Sequence, residues 1–166
     1  MTVTPGNAAG PQSQDPGGLR VRLAARVVLL DPADRVLLMR YDDDPPNGVH
    51  WCTPGGGVEA GESYPQAALR ELAEETGWTD IVLIREVHRR SLSMEWSGQL
   101  VRQDERLYLA RTDQLARLIT GVEAMHESDG IAAWRWWTLP ELTSTAERIW
   151  PAELAQLISA VLANSE

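Results

Sequence analysis

Three glutamates, Glu71, Glu74 and Glu75, follow closely on a run of three glycines, Gly55, Gly56 and Gly57. On a helix the pairs Glu71/Glu74 and Glu71/Glu75 stand at i,i+3 and i,i+4. Like charges at that spacing cost roughly a few tenths of a kcal/mol each, and these lie toward the negative end of the helix dipole. Arg70 offsets part of the repulsion through an i,i+4 pair with Glu74. The remainder asks for an external cation. A hard divalent ion such as Mg²⁺ or Mn²⁺ takes carboxylates, water and substrate phosphate as ligands, so the pattern suits metal-assisted phosphoryl chemistry. The competing reading is a solvated acidic helix face.

The elements that must position these groups are legible locally. Ser63 caps a helix over about 64–76, Gln66 completes a capping box, Pro65 is tolerated in the first turn, and Gly77 suits the left-handed residue that ends it. On the helical period Ala68, Leu69, Leu72 and Thr76 form a core face, with Glu71, Glu74 and Glu75 expected to gather opposite. The glycines allow close approach of backbone to a ligand, and Gly61 allows a second bend before the cap.

Gly56, five residues, Glu62, seven residues, then Arg70-Glu71-Leu72-Ala73-Glu74-Glu75-Thr76-Gly77 and an apolar Trp78 resemble the Nudix box at every fixed position. The one departure is the bulky Trp78 where the family has an aliphatic residue. The resemblance implies an α/β fold, a Nudix-type α/β/α sandwich with a mixed β-sheet between helices, and a pyrophosphohydrolase acting on acid anhydrides. By the same resemblance Glu71, Glu74 and Glu75 hold divalent metal (Mg²⁺ or Mn²⁺), with the Gly55 carbonyl a further ligand. Arg70 orients the carboxylates, Glu62 ties the glycine loop to the helix, and Glu71 or Glu74 activates the water. One further acid is expected shortly before a tryptophan-bearing last strand; Glu127 matches best and Asp129 second.

Composition bounds the rest. A chain of 166 residues with 43% hydrophobic content suits one domain with a real core. A net charge of -9 argues against duplex nucleic acid or an anionic membrane as partner, while a small nucleotide remains acceptable where metal supplies positive charge. A homodimer is compatible with the sequence. The single cysteine, Cys52, cannot form an internal disulfide and reads as a buried strand residue. With no long apolar run or signal segment, the expectation is a cytoplasmic protein.

Residues 1–19, rich in Gly, Pro, Ser, Gln and Ala, read as a disordered N-terminal arm ahead of a domain over 20–166. Alternation over 21–29, a turn over 31–34 and a strand over 35–41 suggest a hairpin. An acidic loop over 42–48 leads to a short strand over 50–54 that delivers the glycines, with His50 a candidate pocket residue. Strands are expected over 81–96 and 100–111 about a Ser97-Gly98-Gln99 turn, then a short helix over 114–119 capped by Thr112-Asp113, and a polar loop over 121–130. Arg85, Arg89, Arg90 and Arg102 are candidate phosphate clamps, or solvent-facing strand residues. Trp134 and Trp136 share one face of a strand over 131–138 and Trp137 takes the other; core filling and base stacking are both open to them. A C-terminal helix over 150–162 carries Leu154, Leu157, Ile158 and Val161 on one stripe and is expected on the sheet face opposite the acidic helix.

The branch markers expected past the box for ADP-ribose (a proline) and dinucleoside polyphosphate (a tyrosine) enzymes are absent over 92–95. That leaves a nucleoside triphosphate or another nucleoside diphosphate derivative as the expected substrate. The alternatives are a catalytically silent nucleotide-sensing module, a hydrolase of ADP-ribose or another nucleotide sugar, and an interaction protein using the N-terminal arm and exposed tryptophans.

Overall fold

A computed structural model describes residues 13–164. Strand β1 (Arg20–Leu30) is the centre of the molecule. Its stretch from Ala24 to Leu30 is buried on both faces apart from Arg26, which is why it reads as a nearly continuous apolar run. On one edge β1 pairs parallel with β6 (Gln99–Arg111), in register from Arg20 opposite Val101 to Leu30 opposite Arg111. On the other edge it meets β4 (Gly55–Gly57) and, at Leu30 opposite Val36, the start of β2 (Val36–Asp42). The expected hairpin of the first two strands is therefore reduced to that junction. At Ala24 to Arg26 that edge of β1 is given over to the glycine strand, and β2 finds its partners in β3 (Val49–Cys52) and β7 (Ile131–Trp137).

The sheet is mixed: β5 (Leu83–Trp96), β6, β1, β2, β3 and β8 (Ile149–Trp150) follow in that order, with β4 on β1 and β7 on β2. Strands β5 and β6 form a long hairpin whose turn has φ of 50° at Ser97 and 73° at Gly98, the double positive φ that a tight two-residue hairpin turn requires.

Helices cover both faces. Helix α1 (Tyr64–Thr76) packs Ala67, Ala68 and Leu72 against Ala25, Val27, Leu29 and Met39. On the opposite face α3 (Leu139–Ser144) and α4 (Leu154–Ala163) bring Leu142, Leu154, Ile158 and Val161 onto Val28, Leu30, Leu38 and Leu107. Trp137 joins this second cluster while Trp134 and Trp136 pack against the first, as the strand alternation requires.

Two local expectations fail for tertiary reasons. Residues 114–119 are not helical. Asp31 accepts the Ala116 N–H at 3.4 Å, Ala116 has φ of 50°, and Arg117 is drawn to Asp80 and onto the Trp78 ring. The expected polar loop instead contains α2 (Glu123–Asp129), ended by Gly130 with φ of 75°. The C-terminal helix, expected from Trp150, begins at Leu154, because Ile149 and Trp150 pair with β3 as β8. Of the expected N-terminal arm, residues 13–19 turn back on β1, with Gln14 bridged to Arg20 and the Ser13 carbonyl accepting from Val21; the rest lies outside the described residues. Among the described residues no helix is long and apolar enough to cross a membrane.

Candidate active site

Helix α1 starts and stops as its sequence requires. The Ser63 hydroxyl accepts from Gln66 N–H at 3.3 Å, the Gln66 side chain accepts from Ser63 N–H at 2.8 Å, and Gly77 closes the helix with φ of 77°. The glycine strand lies between this helix and β1. Gly55 has φ of 149°, and a Cβ there would stand 2.3 Å from the Ala25 carbonyl. A Cβ on Gly56 would stand 2.6 Å from the Glu71 carboxylate. The turn is thus thin because a side chain has no room between sheet and helix.

Arg70 is the hub of the acidic face. Its Nε donates to Glu62 at 2.9 Å, Nη1 to Glu71 at 3.0 Å and Glu74 at 3.3 Å, and Nη2 to the Gly57 carbonyl at 2.9 Å. The Glu62 bond, with the charge of Glu71, raises the Arg70 pKa above the ordinary arginine value, so the guanidinium is permanently charged. Glu62 therefore joins loop and helix through Arg70, and it also accepts the Glu59 N–H at 3.0 Å.

Glu75 departs from the expected arrangement. It is 2% exposed and faces inward, accepting the Gly55 N–H at 3.1 Å and the Tyr41 hydroxyl at 3.3 Å. The helical period itself carries this signal: Glu75 follows Ala68 by two turns and so belongs to the core side of α1. Glu71 and Glu74 are the more exposed of the three, and Glu75 reaches the cavity from the core side. Burial raises the Glu75 carboxyl well above the usual carboxylate range, with the Glu71 charge adding to it. Burial likewise raises Glu71 despite Arg70, and the charges of Glu74 and Asp129 push the same way.

These groups border a cavity of about 610 Å³ lined by Gly55, Gly56, Gly57, Arg70, Glu71, Glu74 and Glu75 on one side. Of the remaining predicted residues, His50 reaches the wall, stacked on Tyr41 with ring centroids 5.4 Å apart. Glu127 is exposed and outside the lining; α2 directs Ser128 and Asp129 there instead, and is tied to α1 by His126 Nε2 donating to the Glu75 carbonyl at 2.6 Å. The four candidate clamp arginines also lie elsewhere. Arg85 is exposed, Arg89 pairs with Glu86, Arg90 pairs with Glu105 beneath the Trp150 ring, and Arg102 pairs with Asp104. The arginines on the cavity wall besides Arg70 are Arg22, Arg26 and Arg148, which the sequence reading missed. Arg26 had a visible signal, a charge inside the otherwise apolar stretch from Leu23 to Leu30. Cys52 also lines the cavity, but burial pushes its thiol up to about 11, as suits an inert strand residue.

Among the described residues no three His, Cys, Asp or Glu side chains converge to hold an ion. The reason is visible: Arg70 draws Glu71 and Glu74 toward itself, and Gly55 with Tyr41 draws Glu75. The donor chemistry nonetheless fits a hard divalent cation. Asp43, Glu59, Glu71, Glu74, Glu75 and Asp129 outnumber the four guanidiniums around the cavity, so an anionic ligand entering it needs added positive charge.

Comparison with known proteins agrees with this geometry. The NUDIX domain family matches residues 20–158. An RNA pyrophosphohydrolase of Novosphingobium aromaticivorans is 36% identical over 132 residues, spanning 72% of this chain and 78% of that protein. Another, from Pelagibacter ubique, is 26% identical over 133 residues, spanning 75% and 81%. The crystal structure of the Nudix hydrolase RenU from M. smegmatis superposes with a TM-score of 0.64 at 19% identity, covering 95% of this chain and 98% of that one, a likeness of fold. With the box intact in sequence and assembled in space, the chain belongs to the NUDIX family and is a Nudix hydrolase.

Proposed function

We propose that the chain is a divalent-metal-dependent pyrophosphohydrolase whose substrate is the 5′-triphosphate of an RNA end. The observation that carries this reading is a single cavity with one acidic wall, formed by α1 and the glycine strand, and a facing wall that combines Arg22 and Arg26 with Trp96 and Trp150. Phosphate and base, the two parts of a nucleotide, each meet suitable chemistry there. The names of the RNA pyrophosphohydrolase relatives support RNA as the body behind the triphosphate.

Glu71, Glu74 and Glu75 with the Gly55 carbonyl would hold the metal, and Asp129 replaces Glu127 as the further acid on the cavity wall. The metal, when bound, neutralises charge on the phosphate oxygens and lowers the pKa of an attacking water. The chain's own residues do the rest. Arg70 fixes the directions of Glu62, Glu71 and Glu74, and Glu71 or Glu74, on the open side of α1, takes the proton of the water. Gly56 keeps the backbone low enough for the Glu71 carboxylate to face the substrate. Attack at phosphorus with loss of the anhydride oxygen completes an in-line displacement.

The test is a 5′-triphosphorylated oligonucleotide compared with a panel of free nucleotides, with Mg²⁺ and with EDTA, following pyrophosphate and phosphate. Turnover of the oligonucleotide in Mg²⁺ and none in EDTA is expected. Turnover in EDTA removes the metal from the reading, and preference for a free nucleotide removes the RNA. A ligand-induced rise in melting temperature without product would make the chain a silent nucleotide-binding module.

A further inference from the structure

The cavity wall facing α1 is a row of charge on three adjacent strands. Glu105 of β6 is 1% exposed, and its one negative charge is shared between Arg26 of β1 and Arg90 of β5. Arg26 also donates to the Thr53 carbonyl at 2.9 Å. Arg22 receives no such share. Among the described residues it has no carboxylate partner in an ion pair, and it hydrogen bonds instead to the neutral amide oxygen of Gln103. Gln103 is as buried as Glu105 and donates its amide N–H to that carboxylate at 3.0 Å. The amide thus passes orientation from Glu105 to Arg22 without passing on charge.

Arg22 itself is placed for a ligand. It lines the cavity, its guanidinium lies 5.0 Å from the Trp96 ring centroid, and its Nη2 is 3.5 Å from where a Gly57 Cβ would stand. Burial, with Arg26 beside it, pushes its pKa down to about 10, although the charges of Glu105 and Glu71 pull the other way. A glutamate of nearly the same shape at position 103 would turn a carboxylate oxygen toward Arg22, while losing the amide's hydrogen bond to Glu105. A half-buried cation without an ion-pair partner costs stability, and a site that retains one leaves its charge for an anionic ligand.

We propose that Gln103 is a positioning residue that orients Arg22 without ion-pairing it, so that Arg22 clamps the phosphate chain of the substrate. This deepens the function proposed above and rests on it for the nucleotide, while the anionic chemistry stands on the wall itself.

The experiment compares wild type with Gln103→Glu, Arg22→Gln and the double variant. It measures tripolyphosphate binding with Mg²⁺ by calorimetry, steady-state kinetics on the triphosphorylated oligonucleotide, and ligand-free melting. In Gln103→Glu, tripolyphosphate binding is expected to weaken about tenfold and KM to rise with kcat nearly unchanged, the scale of one charge-assisted hydrogen bond. Ligand-free melting should fall, because the new carboxylate stands against Glu105 where the amide donated. Arg22→Gln should lose as much binding, and the double variant no more than Arg22→Gln alone. A purely structural role predicts the same fall in melting with tripolyphosphate affinity within about twofold of wild type, and that unchanged affinity overturns the inference. Should Gln103→Glu fail to fold, Gln103→Met keeps neutrality and removes the hydrogen bond. It is expected to weaken tripolyphosphate binding about threefold or more, and unchanged binding overturns the inference. If wild type ignores the oligonucleotide while Gln103→Glu still loses tripolyphosphate, the RNA reading fails and the clamp stands. If the oligonucleotide is turned over and both proteins bind tripolyphosphate equally, the clamp alone falls.

Discussion

Adding one methyl group at adjacent glycines should separate catalysis from folding. At Gly56 the new Cβ would meet the Glu71 carboxylate at 2.6 Å, and that carboxylate is the mobile end of a flexible side chain. To restore an ordinary contact of 3.4 Å the carboxylate must retreat by about 0.8 Å, which repacking of one side chain permits at little cost in stability. A displacement of about 1 Å in a catalytic group lowers the rate about 100-fold. At Gly55 the same methyl meets backbone, 2.3 Å from the Ala25 carbonyl and 2.6 Å from Arg26 Cα, at a φ of 149°. Overpacking and backbone strain together then cost about 3 kcal/mol or more, or about 6–12 °C in Tm for a domain of this size. Gly56→Ala should therefore melt within about 2 °C of wild type yet lose about 100-fold in kcat, with Gly55→Ala losing stability first. Scanning calorimetry and metal-saturated kinetics on both variants check this. A Gly56→Ala enzyme with wild-type kcat, or one that melts as low as Gly55→Ala, would refute the assignment of Glu71 to the reacting face.

Glu74→Gln removes an exposed partner of Arg70 at 3.3 Å and relieves repulsion with Glu71, so in EDTA its Tm should move by less than about 2 °C. In Mg²⁺ its rate should fall at least about 100-fold, and normal activity with lowered melting would make the acidic face structural. Trp78→Leu breaks the stack on Trp136 at 6.2 Å and the Arg117 contact at 4.5 Å. It should cost about 2–3 kcal/mol without changing kcat, read by calorimetry and kinetics. Asp31 is buried, yet its bonds from Arg35 and the backbone amides of Ala33, Arg35 and Ala116 outweigh that burial and depress its pKa. Its contribution is complete above the unfolded value near about 3.9 and fades as pH falls through the lower folded value. Asp31→Asn should cost about 2 kcal/mol at neutral pH and flatten the acid limb of the stability curve below about pH 4, measured by denaturant titration across pH.

The parts legible in the sequence were those set by neighbours along the chain. The caps of α1, the Ser97-Gly98 turn and the two faces of β7 depend on residues a few positions apart, and each formed as read. The stripe of α4 likewise met the sheet face opposite α1. What escaped was set across the fold. Residues 114–119 lost their helix to Asp31 and Asp80, far away in sequence. Glu127 and Asp129 differ by half a turn on α2, so which one meets the cavity depends on the His126 tie to α1. The charged wall could not be read at all without the parallel register that sets Arg22 beside Gln103. Glu75 is different, since its inward position follows from its own spacing to Ala68 and was obscured only by grouping it with its acidic neighbours.

The parallel pairing of β1 with β6 also fixes the order in which the protein can assemble. Arg20 finds Val101 on the order of 80 residues later, so the first strand made is among the last to be closed on its second edge. Loop closure over that distance must precede the reward of the central contacts, whereas the β5–β6 hairpin is local and forms on its own timescale. During synthesis Val27, Val28, Leu29 and Leu30 wait as an apolar segment with an unpaired edge, the kind of surface that other chains recognise. The pairing of that hairpin with β1 is also what builds the charged wall of the active site, so no partly folded form lacking it carries a complete cavity.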